Sequence, residues 1–205
     1  QSWLSAAASF LGMWTAMMMP MMLPSVVPQL WRYQRAIGEA STVRKSALTA
    51  LAAATYFAVW IVPGAIVYPL GIAFATIAMR HAELSEAIPL LAALAVVAAG
   101  ALQFTRWKAH RLACCTAGPD PSTLRVDAIT ALRYGCTLAR HCIECCASLM
   151  AVLFVLGMMN LGVMIAVTIA ITAERLAPAG GRVARVVGVG ILATGLALLA
   201  AAGTA

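Results

Sequence analysis

Six cysteines occur in the chain, and four of them, Cys136, Cys142, Cys145 and Cys146, spell C-x5-C-x2-C-C. They lead into an apolar stretch that begins Ala147-Ser148-Leu149-Met150. On a helix, Cys142, Cys145 and Cys146 stand at i, i+3 and i+4, so they share one face. His141 lies one turn before Cys145, and Met150 one turn after Cys146. Thiolate, thioether and imidazole donors in this density point to soft-metal or thiol chemistry. Soft sulfur ligands select Cu(I), Zn(II) or a related ion, and nearby Met with few carboxylates puts copper first. Cysteine is also a small hydrophobe that packs well between helices, and a single one would need no chemistry.

A second pair, Cys114-Cys115, follows Arg106-Trp107-Lys108-Ala109-His110 in a basic loop and can offer further thiolates. The segment Trp14-Thr15-Ala16-Met17-Met18-Met19-Pro20-Met21-Met22 is rich in thioethers. Met17 with Met21, and Met18 with Met22, are i, i+4 pairs that can relay Cu(I), although Met is also a common packing filler. Pro20, Pro24 and Pro28 each remove an N–H and release a carbonyl one turn earlier. Released carbonyls are tolerated at membrane depth only against protein or a wet cavity, which places this helix inside a bundle.

The elements that must hold these residues are membrane helices. Of 205 residues, 63% are hydrophobic and only 10% charged, and the mean hydropathy is +0.92. Soluble domains carry about a quarter charged residues, so this composition marks a polytopic membrane protein. The expected fold is an all-α transmembrane bundle of about six spans in a single domain over 1–205. The spans fall at about 3–31, 46–79, 87–104, 137–157, 161–173 and 186–201. Pro63, Gly64 and Pro69 bend or end the second, and Gly118-Pro119-Asp120-Pro121 signals a turn after the third. Asp127 to Arg140 can enter the membrane as a helix, and Met158-Met159-Asn160 reads as a tight turn. Gln1 is not an initiator Met, so the sequence can begin after a processed or missing segment.

Lys and Arg fix the orientation. Thirteen of the fourteen fall in three clusters between spans, and only Arg80 lies on the other side. The positive-inside rule then puts the N-terminus outside and the basic loops inside a bacterial inner membrane. The four clustered cysteines lie near the inner end of the fourth span, where thiols stay reduced. The +7 charge is therefore topological, and no extramembrane segment is long enough to read nucleic acid. Glu144, between the cysteines, is expensive to bury alone; it can ligate metal, face headgroups or balance His141 or an Arg, and the ion-pair role is the one expected. Glu174 beside Arg175 reads as an interfacial pair, and Gln103 as a helix end. Walker, Rossmann and H-E-x-x-H signatures do not occur.

Taken together, these segments resemble a Cys-rich, multi-helix bacterial family of predicted metal-binding integral membrane proteins. The resemblance rests on W-x2-M-x3-M-M-L-P-S at Trp14–Ser25, on Lys108 with Cys114-Cys115, and on G-C-x5-C-x2-C-C-x3-M at Gly135–Met150. G-M-M-N at Gly157–Asn160 and E-R-x-A-P at Glu174–Pro178 complete it. It implies a helical membrane protein with a metal site. The chain departs from the family at Glu144, where a Gly is usual, and in having Cys114 and Cys115 adjacent.

The function expected is binding of a soft metal, copper first and zinc second, for handling, transport or delivery. It is not expected to be an enzyme by itself. The metal ligands expected are Cys142, Cys145 and Cys146, completed from Cys136, Cys114, Cys115, His141, Met17 and Met21. Expected partners are the lipid bilayer, other membrane subunits or a metalloenzyme. Two other classes fit the same residues. One is a structural or cofactor-holding subunit of a membrane enzyme, whose Ala-rich spans and Gly188-x-Gly190 would pack against partner helices. The other is a membrane thiol oxidoreductase using the Cys142-x-x-Cys145 spacing.

Overall fold

Among the described residues seven helices form: α1 (Trp3–Ala36), α2 (Thr42–Arg80), α3 (Ala82–Leu102), α4 (Arg106–Thr116), α5 (Ala128–Leu156), α6 (Leu161–Leu176) and α7 (Gly180–Ala202). They come from a computed structural model that describes residues 3–116, 125–158 and 160–203, with backbone alone at 82–85. The turn signal at 118–121 and Met159 lie outside the described residues. The fold is all-α, as expected.

Among the described residues four helices, α1, α2, α5 and α7, are long and apolar enough to cross a membrane. A fifth crossing arises if Glu86–Leu102 and Arg106–Thr116, bent by 65°, form one broken span. At 1.5 Å per residue the 16 residues of α6 reach about 24 Å, short of a hydrocarbon core of about 30 Å. The second span does not end early at its prolines, and both long helices run on through theirs. Pro20, Pro24 and Pro28 lie inside a continuous α1 of 34 residues, and α2 continues through Pro63 and Pro69 to Arg80. The basic region after the third span is not a simple loop either, because α4 carries Lys108 and the Cys114-Cys115 pair on helix.

Short polar side chains start four of the helices, Ser41 among them at the head of α2, where its hydroxyl accepts from the Arg44 amide at 3.4 Å. Thr105 Oγ1 accepts from the Lys108 amide at 3.2 Å, Asp127 Oδ1 from Thr130 at 2.6 Å, and Asn160 Oδ1 from Val163 at 3.2 Å. Gly157, at φ 108°, gives α5 the left-handed ending that residues with a Cβ resist. The Asp127 cap has a pH signature. Its hydrogen bonds from Thr130, then the Arg125 and Arg133 charges, hold its carboxyl below the ordinary range. A lowered folded value means the cap stabilises above the unfolded carboxylate range and is lost as acid protonates it. The start of α5 is expected to gain amide exchange below about pH 4, and Asp127→Asn to abolish that acid step.

Chain contacts divide the protein into two compact units, Gln1–Tyr68 with Cys114–Glu144, and Pro69–Ala113 with Cys145–Ala205. In the first, α1 buries the stripe Trp14, Met18, Met21, Met22, Ser25, Val26, Gln29 and Tyr33. Trp14 Nε1 donates to the Trp60 carbonyl at 2.9 Å, and its ring lies over Gly64, where a Cβ would sit 2.8 Å from it. At Gly135 a Cβ would stand 2.5 Å from the Ala52 carbonyl, so α5 meets α2 backbone to backbone. Tyr33 stacks on Tyr134 at 4.4 Å, within a core of Ile37, Leu48, Ala52 and Ala131.

In the second unit, α7 packs along α3. A Cβ on Gly195 would meet Val97 at 2.7 Å, and one on Gly188 would meet Gln103 at 2.8 Å. Gly188 is therefore used inside the chain, whereas Gly190 faces open space.

Candidate metal centre

Helix α5 carries the chemistry. At 100° per residue, Cys145 and Cys146 fall within about 60° of Cys142 around the axis, whereas Cys136 falls about 120° away. Burial follows that geometry: Cys142, Cys145 and Cys146 are at most 1% exposed, and Cys136 is exposed. The three buried thiols extend a stripe of Ala131, Leu138, Ala139, Leu149 and Leu153, occupying positions where an ordinary helix would put Ala or Leu. None of the six cysteines is in a disulfide.

In the first unit, Cys142 Sγ lies 3.8 Å from Met22 Sδ, thiol donating to thioether. The Tyr56 hydroxyl donates to the same Sγ at 3.1 Å. With metal–sulfur bonds of about 2.3 Å, two sulfurs on a trigonal or tetrahedral ion stand about 3.8–4.0 Å apart. The Met22–Cys142 spacing thus already matches the edge of a soft-metal site. Met22, at 0% exposure, is the Met that α1 turns toward a cysteine. Met21 is also buried, and Met17 is half-buried. The sequence contains Met22 in an i, i+4 pair with Met18. Periodicity could not rank that pair above Met17 with Met21, because the contact with Cys142 crosses 120 positions of chain.

The remaining candidates are bound up with the backbone. Cys115 is buried, and its thiol donates to the His141 carbonyl at 2.9 Å, while Gln29 Nε2 donates to the Cys115 carbonyl at 3.1 Å. Cys114 and His141 are half-buried. Glu144 pairs with Arg140 at 3.2 Å, the ion-pair role expected of it. Among the described residues, no three His, Cys, Asp or Glu side chains converge as a metal-holding group. The sulfur pairing therefore depends on a thioether as well as thiols.

The second unit holds a constellation that spacing did not reveal. Lys108 Nζ donates to Glu174 Oε2 at 2.8 Å and to the Cys145 carbonyl at 2.6 Å. Gln103 Nε2 donates to the other carboxylate oxygen, Oε1, at 2.9 Å. Lys108 and Glu174 are each 1% exposed. The expected interfacial Glu174–Arg175 pair is thus corrected. Glu174 turns inward to a lysine 66 positions earlier, since a buried carboxylate requires a cation and α4 supplies it. Gln103 does end α3, as expected, and is buried there.

Tyr56 has a defined expected effect. Tyr56→Phe removes a donor to the Cys142 sulfur that is worth most when the sulfur is a thiolate. Hydrogen bonds to charged groups contribute about 1.5 kcal/mol or more, so Cu(I) affinity should fall about tenfold in a chelator competition. Equal affinity in both proteins would remove Tyr56 from the site.

Helix α5 thus carries a buried stripe of three thiols, with a thioether set against one of them. A family model described as PpoB2, copper chaperone, matches residues 11–198, and the chain belongs to that family. No curated protein and no solved structure matches it. Copper handling thereby takes the place of the broader soft-metal expectation.

Proposed function

We propose that this copper chaperone works within a membrane and carries Cu(I) on sulfur. Cys142, Cys145 and Cys146 on the buried stripe of α5 are its core ligands, and Met22 is the thioether partner of Cys142. The buried Cys142–Met22 sulfur pair, 3.8 Å apart, supports this reading most directly. Thiolate with thioether is a donor set for Cu(I) rather than for a hard ion. Each thiol that binds gives up its proton, so loading releases acid. Low-coordinate Cu(I) then passes by exchange, one sulfur of the acceptor replacing one of the donor. Cys114, Cys115, Cys136, His141, Met17 and Met21 are further donors available along that route. The recipient is a copper-requiring metalloenzyme or membrane subunit.

The membrane proposed is a bacterial inner membrane with the N-terminus outside. Six helices cross it, α1, α2, α3, α5, α6 and α7, with α4 and the other basic segments inside and the bilayer thinned locally around the short α6. Composition and the three basic clusters support this topology. Reporter fusions after Glu39 and after His81 should read inside and outside respectively.

The deciding experiment is an anaerobic titration of the detergent-purified protein against a chromophoric Cu(I) chelator. Close to stoichiometric uptake is expected, with Zn(II) bound far more weakly. A protein that takes up no Cu(I) under reducing conditions, or that prefers Zn(II), overturns the proposal.

A further inference from the structure

We infer that Lys108, braced by Glu174 and Gln103, is a positioning residue that sets the orientation of the Cys145-Cys146 pair for copper. The inference rests on Cys145 and Cys146 being ligands, as proposed above. An ammonium group has three donors and no acceptor. Two of those donors are accounted for by Glu174 Oε2 and the Cys145 carbonyl. The contact to α5 falls on the main chain of Cys145 itself and not on its sulfur. A helix held by a charged donor at one carbonyl cannot turn about its axis or slide without breaking that bond. The direction in which the adjacent thiols project is thereby fixed.

Glu174 gains nothing from its own helix. It lies in the last turn of α6, where the helix dipole disfavours a negative charge. Its placement therefore depends on Lys108 and Gln103, each satisfying a separate carboxylate oxygen. The turn into α7 closes on the same spot. A Cβ on Gly180 would overlap the Glu174 carbonyl and touch Leu112 at 3.1 Å, so the chain fits there only without a side chain. The main chain of Glu174 is thus closely packed, and the lysine cannot leave its carboxylate without stranding a buried charge. An apolar pair would fill this space at no loss of stability, and often with a gain. What an apolar pair could not do is hold the Cys145 carbonyl.

The test uses two full-length double variants, Lys108→Met with Glu174→Leu and Lys108→Met with Glu174→Gln. Both remove the contact to Cys145 without leaving an unpaired buried charge. Thermal unfolding in detergent is expected within a few degrees of wild type. Cu(I) affinity should fall about tenfold, the usual loss when a group orienting a metal ligand is removed. X-ray absorption should show fewer copper–sulfur neighbours. The same substitutions are then placed in a Cys145→Ser, Cys146→Ser background. There they should change affinity by less than about twofold, because neighbours acting through one another are not additive.

Wild-type affinity and sulfur coordination in either folded double variant overturns the inference. So does an equal loss in the serine background, which would mark a general structural role. If the wild type binds no Cu(I), or if Cys145→Ser with Cys146→Ser binds as tightly as wild type, the ligand assignment itself fails and the positioning role falls with it. Those outcomes are separate from a wild type that binds well and is indifferent to Lys108.

Discussion

Cys142→Ser is expected to lower Cu(I) affinity by about a hundredfold while the protein remains folded. A structural thiolate site is worth about 10–16 kcal/mol in all, so one ligand in four carries about 3 kcal/mol of it. Cys142 is the cysteine with both a thioether at 3.8 Å and a hydroxyl donor at 3.1 Å, so its loss undoes the Met22 pairing as well. Serine fills nearly the same space and can accept the Tyr56 hydroxyl, so packing is retained. A chelator competition reads the affinity, and thermal unfolding controls for the fold. Met22→Leu is the companion variant. It keeps the volume and the burial, removes only the sulfur, and should weaken binding less than Cys142→Ser does. If serine at 142 leaves affinity within about threefold of wild type, Cys142 does not ligate copper. Loss of folding would instead point to packing, the other common use of a buried cysteine.

Much of the fold was legible because it is written in local patterns. Hydropathy and basic clusters mark where helices stand, and the helix expected from Asp127 onward does begin there, as α5. The helical spacing of Cys142, Cys145 and Cys146 is confirmed, along with their shared burial. The prolines of α2 do not end that helix early, as one expectation had it. A Pro removes one hydrogen bond, but neighbouring packing can carry a long helix through it, as it does here.

What sequence could not supply were partners across long separations. Met17 and Met21 share a helix face as plausibly as Met18 and Met22. Only the seating of α1 decides that Met22 meets Cys142. Glu174 was paired with its neighbour Arg175 because adjacency is what a sequence displays. The cation it meets is Lys108, and the polar group completing the trio is Gln103, 71 positions away. Both residues stood in view, one inside the resemblance to a metal-binding family and one as a helix end. Neither carries any periodic or spacing signal that would join it to Glu174.

That trio yields the largest expected effect on stability. Lys108→Met alone leaves the Glu174 carboxylate buried with only Gln103 to answer it, and should destabilise the protein by about 3–5 kcal/mol. Folded proteins are stable by only about 5–15 kcal/mol, so such a loss would leave much of the variant unfolded at growth temperature. Glu174→Gln alone strands the buried Lys108 ammonium in turn and should also destabilise the protein, though less, because Lys108 keeps the Cys145 carbonyl and can still donate to the amide oxygen. Replacing both residues removes the stranded charge, and the double variants should recover most of the lost stability. The order is therefore diagnostic: Lys108→Met lowest, Glu174→Gln also below wild type, and the double substitutions near wild type. Detergent-solubilised thermal unfolding and the yield of monodisperse protein measure it. A Lys108→Met protein as stable as wild type would mean that the carboxylate finds water or another cation. Additive losses in the double variants would mean that the two residues do not act as a pair.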